Sequence, residues 1–409
     1  MQRNLTAHAK VYAHLLATLF AAQHIGGKLA QVSRGPRFLS LSARLNDPRQ
    51  IGRALKLSEP LALASKTENV IAQRDAGYVS YQIELQQSYW QWYTRADLPD
   101  RAAVGLGVNR SPVTFGFDDD PHSLFAGATN SGKTEALKSA LVAAIGQYTP
   151  DDLKLVLVDT NGELSDFMNA ANLALPIASE PNDVENAIRF VAAELVRRKT
   201  NNTKGAPRLV LAIDEVDDLP DADQLRLIAK QGRKYRINLM IGTQRASQKT
   251  LPSILDNLTG RYVGRVDNAQ ASAMMTGHSG MSAHQLTGKG DFLSVLPGGR
   301  AVRFQVALAT QADFNTLPRA EVAPVIIEPA PVIDLPDDDT TTGGRPELTI
   351  EYNTLGRYLA HHSLNQALSI SRADAIFGHK RTLHTRYCNA LAELITGYKS
   401  ELKRIREEQ

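Results

Sequence analysis

Ser123-Leu124-Phe125-Ala126-Gly127-Ala128-Thr129-Asn130-Ser131-Gly132-Lys133-Thr134 is the stretch whose reading decides the fold. It opens on a short apolar run, as a buried strand does. It closes on G-x-x-x-x-G-K-[ST], matched at every position from Gly127 to Thr134. The residues that follow, through Ile145, are Ala- and Leu-rich and free of proline, and they read as a helix that starts at Lys133. A strand that turns through glycines into a helix sends successive backbone N–H groups to one point, and the helix N-terminus adds its partial positive charge there. That arrangement binds phosphate. Gly127, Ala128, Thr129, Asn130, Ser131, Gly132, Lys133, Thr134 and, in the first helical turn, Glu135 are therefore the nucleotide-binding candidates. Lys133 is expected to neutralise the β- and γ-phosphate oxygens of ATP, and Thr134 to offer its hydroxyl to Mg²⁺.

Two further runs work outward from this one. Arg208-Leu209-Val210-Leu211-Ala212-Ile213-Asp214-Glu215 is an apolar strand ending in two carboxylates. Asp214 is the expected partner of the metal, and Glu215 the expected general base for an attacking water. Asn238 to Gly242 is another apolar run, followed by Thr243-Gln244-Arg245, and Gln244, with Thr243 as second choice, is placed where a polar side chain senses the γ-phosphate. With Leu153–Val158 as a fourth apolar run and helical segments at 184–199 and 223–234, the pattern is strand then helix, repeated. Apolar runs without alternation suit strands covered on both faces, so an α/β fold with a mostly parallel sheet and helices on both faces is expected.

At 409 residues the chain is long for a single domain, given about 150 residues per domain. Its single cysteine, Cys388, rules out an internal disulfide framework and a Cys-rich zinc site, and it fits a reducing cytoplasm. The formal net charge of +3 points to no partner by itself, so any nucleic-acid contact must come from local charge. The early apolar stretch Val11–Ala22 carries His14 and falls short of the ~20 apolar residues that a membrane span needs.

With these motifs in place, the chain resembles the FtsK/SpoIIIE family of DNA-translocating ATPases within the wider FtsK–HerA group. The likeness runs from about residue 32 to 308. It is carried by Pro121–Gly127 before the loop, by Asp159 with Glu163-Leu164, and by the acidic pair Asp214-Glu215. Further support comes from Gly232-Arg233 through Thr243–Ser247, from Ile254–Asn257 and from Gly288–Leu293. Gly35–Phe38 and Ile51–Leu55 are similar to the accessory domain that precedes the motor. The resemblance implies a RecA-like motor, a homo-oligomeric ring (a hexamer in the family) and double-stranded DNA as partner. It also implies ATP sites completed by an arginine from the neighbouring subunit. Where the family usually has that arginine, this chain reads Asp267–Ser272, so Arg233, Arg236, Arg261 and Arg265 stand as the candidates. Asp159-Thr160-Asn161 lacks the Pro and Lys common in the family's acidic loop, and the chain looks like a compact, soluble version without the family's membrane anchor. An anchoring partner at a membrane or complex is open. Segregation, conjugative transfer and genome packaging are the processes such a motor serves. A protein-secretion ATPase and a nucleotide-gated DNA-binding scaffold are the rival readings. One P-loop weighs against the first, and the intact Asp214-Glu215 pair against the second.

The expected organisation is an α/β accessory domain over 1–100, the motor over 101–317, a Pro/Asp-rich linker over 318–347 and a helical module over 348–409. Helix is expected over residues 1–30 and 47–57, and strand at 38–45, 61–64 and 78–85. Between 357 and 406 there are nine Arg or Lys against three acids, so the last module is a candidate helix-turn-helix contact to DNA, with His379, Arg381 and His384 near its turn.

Overall fold

Unbroken apolar runs decide how the central strands are buried. The computed structural model of the chain describes residues 2–75, 77–216, 222–245, 251–296 and 300–320. The linker from residue 321 and the basic C-terminal module, with Cys388 and the residues near its expected turn, lie outside the described residues.

The first part runs α1 (Gln2–Ala22), β1 (Gly27–Arg34), β2 (Phe38–Leu45), α2 (Ile51–Leu55), α3 (Ser58–Ser65), β3 (Val70–Asp75) and β4 (Tyr78–Glu84). These strands form their own antiparallel sheet in the order β1-β2-β4-β3. Tyr12, Leu16 and Phe20 of α1 pack with Leu41, Tyr81 and Ile83 of the sheet. Two local expectations are corrected here. The helix expected over 1–30 ends at Ala22, and Gly26-Gly27 turns the chain into β1. Residues 61–64 are helical within α3, because Leu-Ala-Leu-Ala carries helix-forming rather than β-branched side chains and follows Pro60 in the first turn. Only Leu61 of α3 is buried, and Leu63 is 84% exposed, as a one-sided helix allows. Asp47 does cap the next turn, its side chain accepting from the Arg49 N–H, with Pro48 in first position.

The second part follows as β5 (Tyr93–Thr94), β6 (Ala103–Leu106), β7 (Pro112–Thr114), β8 (His122–Ala126), α4 (Lys133–Gln147), β9 (Leu153–Val158), α5 (Pro181–Thr200) and β10 (Arg208–Ile213). It continues as α6 (Ala222–Gln231), β11 (Ile237–Thr243), α7 (Leu251–Ile254), β12 (Gly260–Val263), α8 (Ala269–Thr276), β13 (Asp291–Leu296), β14 (Arg300–Leu308) and α9 (Gln311–Asn315). The large sheet has the order β7-β6-β14-β13-β12-β8-β11-β10-β9, with β5 beside β14. The five strands β12, β8, β11, β10 and β9 pair in parallel. The β12–β13, β13–β14, β14–β6 and β6–β7 pairs are antiparallel, so the expected parallel core carries an antiparallel extension.

Both faces of the parallel core are covered. Leu209, Leu211 and Ile213 of β10 pack with Val184, Ile188, Val191 and Leu195 of α5, while Val210 and Ala212 face the side of Leu137, Leu141 and Ala144 of α4. Each fully buried Leu or Val contributes roughly 1.5–3 kcal/mol relative to exposure. That explains why the strands have no polar face in the sequence. Among the described residues, no helix is long and apolar enough to cross a membrane.

One polar side chain in this core sets a pH response. His122, at the start of β8, is 2% exposed; its Nδ1 accepts from the Leu239 N–H at 3.0 Å, and its Nε2 has no partner among the described residues. Burial, with Arg233 adding to it, lowers its pKa from 6.5 to about 4. The folded chain therefore binds fewer protons than the unfolded chain between those values. Stability is full above pH 6.5 and falls as pH drops toward 4, by on the order of 3 kcal/mol for this group. Chemical denaturation at stepped pH is expected to show this slope, and His122→Asn is expected to flatten it. A variant with the wild-type slope refutes the assignment.

Candidate nucleotide site

The loop Gly127–Thr134 joins the carboxyl end of β8 to α4, as its sequence requires. Gly132 precedes the helix at φ +94°, a left-handed conformation, and no side chain caps the helix there. Its first N–H groups are therefore left for an external acceptor. Asn130, also left-handed at φ +64°, completes the curl. The loop is held at its rear by Gly127 N–H to Thr243 O (3.1 Å) and Ala128 N–H to Arg265 O (2.7 Å). A Cβ on Gly127 would lie 2.3 Å from Ser131 Oγ, so only glycine fits this tight curl.

The catalytic candidates converge beside the loop. Lys133 is 6% exposed; its Nζ donates to Asp214 O at 2.5 Å and to Glu215 Oε2 at 2.8 Å, and lies 3.5 Å from Asp214 Oδ1. Thr134 Oγ1 donates to Asp214 Oδ1 at 3.1 Å. The other oxygen of the Glu215 carboxylate accepts from the Gln244 N–H at 3.0 Å, and Thr129 Oγ1 donates to Gln244 Oε1 at 2.9 Å. Loop, acidic pair and sensor strand thus form one hydrogen-bonded set. Burial pushes the Asp214 carboxyl above its usual range, against the pull of Lys133 and of the Thr134 hydrogen bond. Burial likewise raises Glu135, against Lys138, which is 4.0 Å away.

A residue the sequence reading passed over makes this closeness possible. Gly242 sits where a Cβ would meet Asp214 O at 2.0 Å. Any side chain there would push β11 from the end of β10 and separate Gln244 from Glu215. Its signal was a glycine just before the polar tip of an apolar strand.

The residues fit a magnesium ion. Thr134 Oγ1 and the Asp214 carboxylate are hard oxygen donors already side by side. Among the described residues no group of three or more His, Cys, Asp or Glu could hold a metal alone, so the other ligands must be phosphate and water, the ordinary habit of Mg²⁺.

The arginine candidates are spread over the domain. Arg261 gives its guanidinium to four backbone carbonyls, those of Leu255, Leu258, Met274 and Met275. Arg265 is exposed and flanks its own phosphate loop, its carbonyl holding Ala128. Arg233 and Arg236 precede β11 and so lie at the opposite end of the parallel strands from the loop. Arg233 shares a cleft with Lys199, Lys230 and Lys234. Asp159, after β9, takes hydrogen bonds from the N–H groups of Asn161, Glu163 and Leu164 and so shapes the acidic loop.

Residues 84–264 match the family model described as FtsK/SpoIIIE family. The chain carries an FtsK/SpoIIIE-family domain. The matched span includes Gly127–Thr134, Asp214, Glu215 and Gln244. Relatives of this domain include the DNA translocase FtsK of Helicobacter pylori, 25% identical over 335 residues, which cover 72% of this chain and 39% of that protein. The DNA translocase FtsK of Bacillus cereus is 25% identical over 356 residues, covering 75% and 45%. The chain thus spans about two fifths of the length of these FtsK proteins. Among solved structures it is similar to the pCW3 conjugation coupling protein TcpA in monomer form with ATPγS. That likeness has a TM-score of 0.48 and 18% identity, and covers 74% of this chain and 96% of that one. It is also similar to the cytoplasmic domain of the type VII secretion ATPase EccC of Thermomonospora curvata, with a TM-score of 0.47, 22% identity, and coverage of 55% and 31%.

Proposed function

We propose that this FtsK/SpoIIIE-family chain hydrolyses ATP to move double-stranded DNA, as a homo-oligomeric ring in the cytoplasm. The observation that carries the hydrolytic part is the Glu215 carboxylate, with one oxygen on Lys133 Nζ and the other on the Gln244 N–H. A base held at both oxygens beside a phosphate loop is aimed before substrate arrives. Glu215 orients a water and accepts its proton. Lys133 leaves its carboxylate contacts for the β- and γ-phosphate oxygens, and the loop amides take the remaining charge. Gln244, bonded to Thr129 of the loop, reports occupancy of the γ-phosphate position to β11. Thr134 and Asp214 would hold Mg²⁺, which would supply charge neutralisation at the phosphates.

The DNA part is supported by the FtsK relatives, which are named DNA translocases. In this reading residues 1–100 are the accessory module and 101–317 the motor. Arg233, Arg236 and Arg265, whose side chains no contact named above engages, are the arginines available to a neighbour's site, and Arg261 is the least available.

Glu215→Gln is expected to bind nucleotide at near wild-type affinity and to hydrolyse it roughly 10²–10⁴-fold more slowly, since the amide keeps the geometry and loses the base. Steady-state turnover with and without duplex DNA checks both parts. Duplex DNA is expected to raise the wild-type rate at low and at physiological salt. No change at either salt overturns the translocase reading, and a basal rate equal to that of Glu215→Gln overturns the ATPase reading in favour of a nucleotide-gated scaffold.

A further inference from the structure

Arg37 is the largest fully buried side chain in the described chain, with 1% exposure, and it lies in the N-terminal sheet region rather than in the nucleotide site. A buried guanidinium is costly unless its donors are well used. Here the Nη donors leave the N-terminal module altogether, while Nε has no hydrogen-bond partner among the described residues. Nη1 donates to Thr287 Oγ1 at 2.8 Å and to Gly288 O at 2.7 Å, and Nη2 donates to Lys289 O. The guanidinium also lies 4.5 Å from the ring centroids of both Trp90 and Trp92.

The turn it grips has an unusual backbone. Gly288 (φ +74°), Lys289 (φ +51°) and Gly290 (φ +86°) are consecutively left-handed, which sends carbonyls to one side and N–H groups to the other. The carbonyls of Gly288 and Lys289 face Arg37. The N–H groups of Lys289 and Gly290 go to Asn130 O (2.9 Å) and Ser131 O (2.6 Å) of the phosphate loop. The approach is close: a Cβ on Gly132 would lie 2.7 Å from Gly290 N. In a trans peptide the C=O and N–H point in opposite directions. The Ser131 N–H donates to Ala128 O at 2.9 Å within the loop, so it is the Gly132 N–H that holding the Ser131 carbonyl outward aims toward the cradle.

We propose that Arg37 is a positioning residue of the nucleotide site, fixing the crest of the phosphate loop through the 287–290 turn. The inference rests on the ATPase reading and deepens it. Nucleotide occupancy and the seating of the N-terminal module are then linked, since Arg37 holds one end of a three-part chain and the phosphates pull on the other.

Nucleotide affinity and steady-state kinetics on the full chain test this. Arg37→Gln is expected to weaken binding of a fluorescent ATP analogue about tenfold and to raise KM with a smaller change in kcat, the loss of one charged hydrogen-bond set. Arg37→Lys is expected to recover part of the affinity, and Thr287→Val to shift it less in the same direction. An Arg37→Gln protein with lowered thermal stability but analogue affinity and KM within twofold of wild type overturns the proposal. Should Arg37→Gln fail to fold, hydrogen exchange of the wild-type chain decides. ATPγS must protect peptides over 287–291 and 35–38 as well as 127–134, and protection confined to 127–134 overturns the proposal. A wild-type chain that binds no nucleotide overturns the ATPase reading itself, whereas wild-type binding matched by Arg37→Gln overturns only the role of Arg37.

Discussion

Lys133→Ala is expected to lower ATP turnover by at least 10²–10³-fold, the cost of removing one preorganised charge from a phosphoryl-transfer site. The structure adds a second cost. Lys133 is the cation that Asp214 and Glu215 share: its Nζ lies 3.5 Å from Asp214 Oδ1 and 2.8 Å from Glu215 Oε2. Asp214 is already raised by burial, with Lys133 as the largest influence holding it down and Glu215 pushing it further up. Without the ammonium the two carboxylates face each other, and Asp214 moves further toward the neutral form. A neutral Asp214 is a poor partner for the ion that Thr134 is set to bind. The expected signature is therefore a joint loss: turnover disappears, and the Mg²⁺ concentration needed for nucleotide binding rises. A coupled phosphate-release assay and a magnesium titration with a fluorescent nucleotide measure the two. An alanine variant that turns over within tenfold of wild type removes Lys133 from the site.

Much of this site was legible because its chemistry is local. Gly127–Thr134 is contiguous, and Asp214-Glu215 and Gln244 stand at the ends of apolar runs whose burial on both faces forced them into the sheet centre. The strand order then brought the three ends together. The antiparallel extension from β13 to β7 was hidden, because its strands are short or, like β14, carry Arg303 and Gln305 among apolar neighbours. Leu61–Ala64 misled because a four-residue apolar run is too short to show a period, although its Leu and Ala are helix formers and one face packs. The link through Arg37 could not be read at all, since its hydrogen-bond partners are some 250 residues away in sequence. Contacts at that separation are products of the fold.

Asp291→Ala is expected to give the largest loss of stability, about 3–5 kcal/mol, as happens when one partner of a buried pair is removed. Asp291 and Arg303 are 3% and 2% exposed at their side chains, and they meet through Nε at 2.9 Å and Nη2 at 2.7 Å. Asp291 Oδ2 also accepts from the N–H and hydroxyl of Thr287, both at 3.0 Å, at the base of the turn that Arg37 grips. Burial works to raise this carboxyl, but Arg303 and the Thr287 N–H outweigh it, and the net pKa is lowered. Its contribution is thus present above the ordinary value of 3.8 and is lost as pH falls below that value through the folded one. Burial lowers the Arg37 guanidinium to about 10, with Asp291 as the chief opposing charge, so deleting the carboxylate leaves two buried cations leaning on Glu84 alone among the acids that act on Arg37. Arg303 also stacks over Phe38, 4.5 Å from its centroid, so the pair joins the N-terminal sheet to the large sheet. Urea denaturation of Asp291→Ala, Arg303→Met and the double variant separates the causes. If the single losses come from a stranded charge, the double Asp291→Ala/Arg303→Met chain recovers much of the stability. Single variants within 1 kcal/mol of wild type, as exposed pairs give, would show that this pair does not hold the two sheets together.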